Sequence, residues 1–209
     1  MTKILLSGVP GGGKTYTGAD LQNRYGFLHV DMEEDSHRLA YECMKDPEKF
    51  LSRLPVQRDI VMGWGFNPFG CRDAVGQIIA YGFTPVWFDG SRAYFFSTFM
   101  KREKGSRVKE RDYYMKMAEI IQTDIYDYFP WVRFNPYDLN GNFWCDNTER
   151  LLAKVDDRTG HAATCGHSSG DVSPLGLAGS SPASSAGQES ISSGAREENG
   201  AWWLGNWSA

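Results

Sequence analysis

The chain has 209 residues, a formal net charge of −4 from 22 basic and 26 acidic residues, and 41% hydrophobic residues. Its length predicts one domain with additional segments, and its acidic balance argues against a general nucleic-acid binder. No apolar run is long enough to cross a membrane, and the N-terminus enters a predicted strand rather than a signal peptide. The widely spaced cysteines are typical of reduced thiols and predict a cytoplasmic protein: Cys43, Cys71, Cys145 and Cys165.

The N-terminal part of the chain predicts a strand, a glycine-rich loop and a helix. Ile4-Leu5-Leu6 is a short apolar run, as expected of a buried parallel strand. The stretch Gly8-Val9-Pro10-Gly11-Gly12-Gly13-Lys14-Thr15 then matches the phosphate-loop pattern G-x-x-x-x-G-K-[ST] at every fixed position. The residues that follow, through Tyr25, are enough for about three helical turns, and Gly26 is the expected C-cap.

The residue types of this loop suit a phosphate group, whereas a chance glycine-rich turn would need none of them. Glycines leave room for a phosphate against the backbone, and loop N–H groups at a helix N-terminus favour an anion. Lys14 is expected to reach the β- and γ-phosphates of ATP, and Thr15 to offer its hydroxyl to Mg²⁺. The predicted ATP-binding residues are Gly8, Pro10, Gly11, Gly12, Gly13, Lys14, Thr15 and Tyr16.

Strands and helices alternate along the rest of the chain. Further strands are predicted at 27–30, 60–62, 85–88 and 131–134, and helices at 36–44, 47–54, 71–81, 91–100, 113–128 and 147–155, with a basic hinge at 101–111. This order predicts an α/β fold, a doubly wound parallel sheet of about five strands with helices on both faces. Ligands of such sheets bind at the carboxyl ends of the strands, where the chain carries the glycine loop, Asp31, Gly63 and Asp89.

The composition changes after Asp157, which predicts a domain at 1–157 and a tail at 158–209. The tail is rich in Ser, Gly and Ala and has no helical or strand period, so we expect it to be disordered. Its aromatic end, which contains Trp202, Trp203 and Trp207, has two open interpretations: an adhesive terminal peptide, or sequence that is not native to the domain. A metal site at His161, Cys165 and His167 is not expected, because no fourth ligand accompanies them.

Over residues 1–155 the order of elements resembles the small P-loop kinases, the superfamily of shikimate, gluconate and adenylate kinases. The phosphate loop carries most of the resemblance, with Asp31 after the second strand, the fourth strand, the basic segment and the closing strand-turn-helix. The resemblance implies that Lys14, Asp31 and Arg102 act on the transferring phosphate, that Thr15 and Asp31 hold Mg²⁺, and that Arg38 lies over the phosphate acceptor. It also implies a lid of basic side chains: Lys101, Arg102, Lys104, Arg107, Lys109 and Arg111.

The chain departs from adenylate kinases at the end of the third strand. Those enzymes carry an aspartate there, whereas this chain has Gly63, which leaves Asp31 and Asp89 as candidate metal ligands. The same difference favours an acceptor other than a nucleoside monophosphate. Trp64 and Phe66, after this strand, are open to core packing or to stacking on an acceptor ring.

The Asp31 assignment also has an alternative. Glu33, Glu34 and Asp35 follow it, so the segment can be a solvated acidic turn at a helix N-terminus. We favour a site role for Asp31 because the second strand is expected to lie close to the glycine-loop strand, with its end facing the phosphates. The basic lid segment has a similar alternative, a solvated helix face.

These patterns predict an ATP-dependent kinase that transfers the γ-phosphoryl group to a hydroxyl of a small molecule. We expect a monomer that does not associate with a membrane. The alternative is a nucleotide-dependent switch, or a toxin-like P-loop NTPase that acts on a macromolecular partner. A 5′-hydroxyl nucleic-acid kinase is disfavoured by the acidic net charge. The acceptor cannot be read from the sequence, because the segment 33–55 expected to form its pocket carries no recognisable pattern.

Overall fold

The computed structural model describes residues 1–65, 71–102, 107–122 and 128–164, apart from the side chains of residues 35–36, 107–109, 122 and 159–164. A compact unit spans Met1–Ala163. The strands are β1 (Lys3–Gly8), β2 (Leu28–Asp31), β3 (Ile60–Gly63), β4 (Thr84–Phe88) and β5 (Val132–Phe134). The helices are α1 (Lys14–Tyr25), α2 (Glu34–Lys45), α3 (Pro47–Ser52), α4 (Arg72–Ala80), α5 (Arg92–Arg102), α6 (Arg107–Gln122) and α7 (Asn147–Thr164).

The strands form a five-stranded parallel sheet in the order β2-β3-β1-β4-β5. Strand β1 is central, and its Leu6 pairs with Gly63 of β3 and with Val86 of β4. The glycine loop that follows β1 therefore begins in the middle of the carboxyl edge of the sheet. Strand β3 lies between β1 and β2, so the β2 end with Asp31 is about 10 Å from the line of β1, two strand spacings rather than one.

Apolar layers cover both faces of the sheet, which confirms the predicted doubly wound α/β fold. Ile4 and Leu6 of β1 pack in one layer with residues of α1 and α7, such as Leu21 and Leu151. Leu5, between them in sequence, packs in the other layer, to which α2, α3, α4, α5 and α6 contribute. Successive side chains of a strand point to opposite faces, so an uninterrupted apolar strand is buried on both sides.

Helices α5 and α6 differ from the sequence prediction in their bounds. Helix α6 begins at Arg107 rather than Tyr113, and α5 extends through Arg102, so the predicted basic hinge is wrong for the described residues of 101–111. Lys, Arg and Glu residues have good helix propensity, and opposite charges three residues apart, such as Lys109 and Asp112, support a helix. Residues 103–106 lie outside the described part of the chain.

Helix α7 continues to Thr164, beyond its predicted end at Val155 and beyond the proposed boundary at Asp157. Propagation adds one backbone hydrogen bond per residue, and no proline interrupts this segment. The remainder of the predicted disordered tail lies outside the described residues, so the tail stays a prediction. Along the described chain, no helix combines the length and the apolar character that crossing a bilayer requires.

Candidate functional site

The loop between β1 and α1 turns on glycines in the left-handed region. Gly11 has a φ of 82° and Gly13 a φ of 80°. A Cβ atom on Gly11 would collide with the carbonyl oxygen of Phe95, and one on Gly13 with the ring of Phe143. The loop is therefore held against α5 on one side and against the segment after β5 on the other, and only glycine fits at these two positions.

The first turn of α1 carries no acidic side chain that would compete with a bound anion. Gly13 is its N-cap, no side chain caps it, and the first turn contains no acidic residue. Thr15 and Tyr16 in this turn are exposed. The unpaired N–H groups of a helix N-terminus attract an anion, so the end of α1 is shaped for a phosphate group. We call the glycine loop together with this first turn, residues 8–16, the phosphate cradle.

The Lys14 side chain folds back onto the glycine loop of the cradle. Its Nζ donates to the carbonyl oxygens of Gly8 and Val9, both at 3.2 Å. Burial lowers the pKa of Lys14 to about 8, an effect that the Glu33 carboxylate opposes. A lysine held on loop carbonyls is ready to exchange these weak partners for phosphate oxygens, to which its hydrogen bonds are charge-assisted.

Charged groups from three other elements act on Lys14. The positive charges of Lys116 on α6 and Arg102 on α5 lower its pKa, and the carboxylates of Glu33 and Asp31 raise it. Asp31 and Arg102, which are predicted together with Lys14 as catalytic residues, thus both act electrostatically on Lys14. Lys116 was missed by the sequence analysis, because a lysine in the middle of an amphipathic helix gives no local signal of its direction.

The turn after β2 places its carboxylates differently from the sequence expectation. Asp31 Oδ1 accepts a hydrogen bond from the Glu33 backbone N–H at 2.9 Å, which stabilises the turn. The Glu33 side chain reaches to the residues that follow β3, where its Oε1 accepts from the Gly65 N–H at 3.2 Å. Glu33 also raises the pKa of Lys14 more than Asp31 does. Glu33 therefore acts more strongly on Lys14 than Asp31 does, although the sequence analysis favoured Asp31.

Other candidate residues have structural partners. Asp89, the alternative metal ligand, forms an ion pair through Oδ1 with Arg92 at 2.8 Å. Arg38 pairs with Glu42 at 3.0 Å on its own helix. Trp64 is only 4% exposed and packs in the core, which favours the packing interpretation over stacking on an acceptor; Phe66 lies outside the described residues.

The lid residues are described only in part. Arg102 is exposed, and its guanidinium lies 5.6 Å from the centre of the Phe99 ring. Arg111 contacts Asp112 at 3.7 Å, a weak surface pair. Lys101 is exposed at the end of α5. The residue Lys104 and the side chains of Arg107 and Lys109 lie outside the described part, so their lid role stays a prediction.

Thr15 and Asp31 are the predicted metal ligands. Among the described residues, no three His, Cys, Asp or Glu side chains converge as a metal-binding group. The Thr15 hydroxyl is exposed at the cradle, and Asp31 uses one oxygen for its turn. These residues fit Mg²⁺, which at phosphoryl-transfer sites takes one or two protein oxygens and completes its shell with water and phosphate. The pair Thr15 and Asp31 stays a prediction.

Comparison with solved structures shows a fold similar to that of the small P-loop kinases. A gluconokinase from Sinorhizobium meliloti 1021 superposes with a TM-score of 0.53 at 15% identity, over 79% of this chain and 98% of that one. A shikimate kinase from Bacteroides thetaiotaomicron gives a TM-score of 0.48 at 12% identity, over 78% of this chain and 98% of its own. No family model matches the sequence, and no curated protein is significantly similar to it.

Proposed function

We propose that this protein is an ATP-dependent kinase that transfers the γ-phosphoryl group to a hydroxyl of a small-molecule acceptor. The observation that carries the proposal is the environment of Lys14. It lies in a glycine cradle at a helix N-terminus, and two cations and two carboxylates act on its ammonium group: Arg102, Lys116, Asp31 and Glu33. The P-loop kinase fold supports it. A cytoplasmic monomer that acts on a small molecule remains the expected form.

The cradle and the cations have the charges that phosphoryl transfer requires. The N–H groups of residues 13–16 and the ammonium of Lys14 bind the phosphates, while Arg102 and Lys116 balance negative charge on the group in transfer. Thr15 and Asp31 would hold Mg²⁺, which neutralises phosphate charge when it is bound. Catalysis on this scheme is mainly positioning and electrostatic stabilisation.

We assign the general base to Glu33. Its carboxylate accepts the acceptor's hydroxyl proton as the hydroxyl oxygen forms a bond to the γ-phosphorus and the bond to the ADP oxygen breaks. The Gly65 N–H holds one Glu33 oxygen and so directs the side chain towards the centre of the sheet edge. Asp31 as the base is the second assignment, and it is separated from the first by the variants described in the Discussion.

An acceptor screen tests the function. Purified protein is incubated with Mg²⁺ and ATP and with sugars, polyols, hydroxy acids, nucleosides or amino sugars, and ADP release is measured together with the mass of each candidate product. We expect one class to stimulate ADP release and to gain one phosphoryl group, with loss of the signal in Lys14→Ala. A hydrolysis rate that no acceptor changes would contradict a small-molecule kinase and favour the nucleotide-dependent switch.

A further inference from the structure

One amide of the phosphate cradle is held at both of its ends. The peptide unit between Gly11 and Gly12 carries the carbonyl of the first residue and the N–H of the second. The Tyr137 hydroxyl contacts the Gly11 carbonyl oxygen at 2.7 Å. The Gly12 N–H donates to the carbonyl oxygen of Val9 at 3.2 Å. These two bonds set the direction of the whole peptide plane.

The Tyr137 hydroxyl links the cradle to α5. It also lies 2.9 Å from the Thr98 hydroxyl. A carbonyl oxygen only accepts, so the single Tyr137 proton goes to Gly11, and Thr98 donates to the Tyr137 oxygen. Tyr137 is 5% exposed, and burial raises the pKa of its hydroxyl. A tyrosine hydroxyl is protonated at neutral pH and is therefore a donor.

Packing holds the Tyr137 ring in place independently of its hydroxyl. Its ring centre lies 5.3 Å from that of Phe95 and 5.8 Å from that of Phe143, both in edge-to-face geometry. The Tyr137 backbone N–H donates to Asn135 Oδ1 at 3.1 Å. Removing only the hydroxyl therefore leaves the ring anchored, and the cradle loses a single hydrogen bond.

The orientation of this amide matters for anion binding. Two consecutive glycines have no Cβ to restrict them, so their shared peptide can rotate at little steric cost. Rotation would turn the Gly11 carbonyl dipole towards the cradle and place partial negative charge near a phosphate. We propose that Tyr137 is a positioning residue that keeps the Gly11 carbonyl directed away from the phosphate that the cradle binds. The inference rests on the phosphate-binding part of the proposed function.

Tyr137→Phe in the full chain tests the inference, and Tyr94→Phe is the matched control. Tyr94 lies on α5, and its hydroxyl donates to the carbonyl oxygen of Leu139 at 2.9 Å. Leu139 is on the same segment after β5 as Tyr137, but this hydrogen bond does not involve the cradle. Calorimetry measures the affinity for inorganic pyrophosphate with Mg²⁺. Loss of one hydrogen bond to the loop should weaken pyrophosphate binding about fivefold in Tyr137→Phe and less than about twofold in Tyr94→Phe.

Amide hydrogen exchange in protein labelled at glycine provides a readout that needs no ligand. The Gly12 amide should exchange several-fold faster in Tyr137→Phe than in wild type. The amides of Gly26 and Gly82, which donate to Gln22 and Ile79 far from Tyr137, should be unchanged. A general loss of stability would instead accelerate all three amides, and that result would overturn a specific positioning role.

The remaining outcomes separate this inference from the proposed function. Equal pyrophosphate affinity of Tyr137→Phe and wild type overturns the inference, whatever the acceptor screen shows. Equal losses in Tyr137→Phe and Tyr94→Phe overturn it too, because the effect would belong to the segment after β5 as a whole. A wild-type protein that binds pyrophosphate but phosphorylates no acceptor contradicts only the proposed function. Absence of pyrophosphate binding in wild type overturns both.

Discussion

The phosphate cradle and the acidic turn after β2 lie at the same edge of the sheet but are built in different ways. Lys14 meets the carbonyls of Gly8 and Val9, only a few positions away in the chain, and the helix that follows supplies the N–H groups. Glu33 is placed by the Gly65 N–H, which lies 32 positions away, just after β3. A local pattern therefore suffices for the cradle, whereas the carboxylate that acts most strongly on it depends on the pairing of β2 with β3.

The largest expected effect separates the two carboxylates of the acidic turn. Glu33→Gln retains size and hydrogen bonding but removes the base, so acceptor-dependent turnover should fall about 10²- to 10⁴-fold. Its affinity for ATP, measured by calorimetry, should stay close to that of wild type. Asp31→Asn should instead weaken the Mg²⁺-dependent part of ATP binding.

Glu34→Gln, at the adjacent position, is the control for these two variants. If Asp31→Asn alone loses turnover with unchanged ATP affinity, the base is Asp31. If Glu33→Gln and Asp31→Asn both stay within a few-fold of Glu34→Gln, the segment is only a solvated turn, and neither carboxylate is catalytic.

The second-largest expected effect is on nucleotide affinity and comes from a change in the cradle. Lys14→Ala removes a charge-assisted contact worth about 1.5–3 kcal/mol, which corresponds to a loss of roughly ten- to a hundredfold in Mg²⁺·ATP affinity. Calorimetry measures this affinity, and the melting temperature should remain close to that of wild type. Lys3→Ala is the matched control, because Lys3 lies at the other end of β1 and donates to the Tyr81 carbonyl oxygen. Equal ATP affinity of wild type and Lys14→Ala would refute the cradle as the nucleotide site.

Gly65→Ala tests how the β3 end positions the Glu33 carboxylate. A Cβ atom there would meet Glu33 Oε1, the mobile end of a long side chain, so the fold should tolerate it while the carboxylate moves. Acceptor-dependent turnover should fall about tenfold with little change in melting temperature, since small misplacements of a catalytic group are costly. Gly63→Ala is the control, because its nearest neighbour, His29 Nε2, lies at an ordinary 3.5 Å. Turnover equal in the two variants would show that Gly65 does not position the base.

The smallest effect is a pH dependence of nucleotide binding. Burial lowers the pKa of Lys14 to about 8 in the free protein, whereas bound phosphate favours the ammonium form. Binding therefore requires proton uptake at alkaline pH, and ATP affinity should fall about fourfold from pH 7 to 8.5. Calorimetry across this range should show the decrease in wild type and a much flatter profile in Lys14→Ala. A matching decrease in Lys14→Ala would assign the titration to another group.

The predicted lid segment shows that a local charge pattern does not determine secondary structure. The run of Lys, Arg and Glu at 101–111 predicted a hinge, but the described parts are the end of α5 and the start of α6. Charged residues suit both a solvated loop and a helix face, and only packing against the domain selects one. Tyr113, Met117 and Ile120 are buried on one side of α6, which leaves Lys116 beside them and near the cradle.

The sequence alone determined the phosphate loop, the strand and helix order and the doubly wound sheet, because these depend on glycine spacing, apolar periodicity and local helix signals. Tertiary structure decided which side chains join the cradle: Glu33 across β3, Lys116 from α6, and Tyr137 from the segment after β5. Tyr137 and Gly11 are 126 positions apart. A contact of that span is set by strand order and by the packing of the layers on the sheet, neither of which leaves a local pattern in the chain.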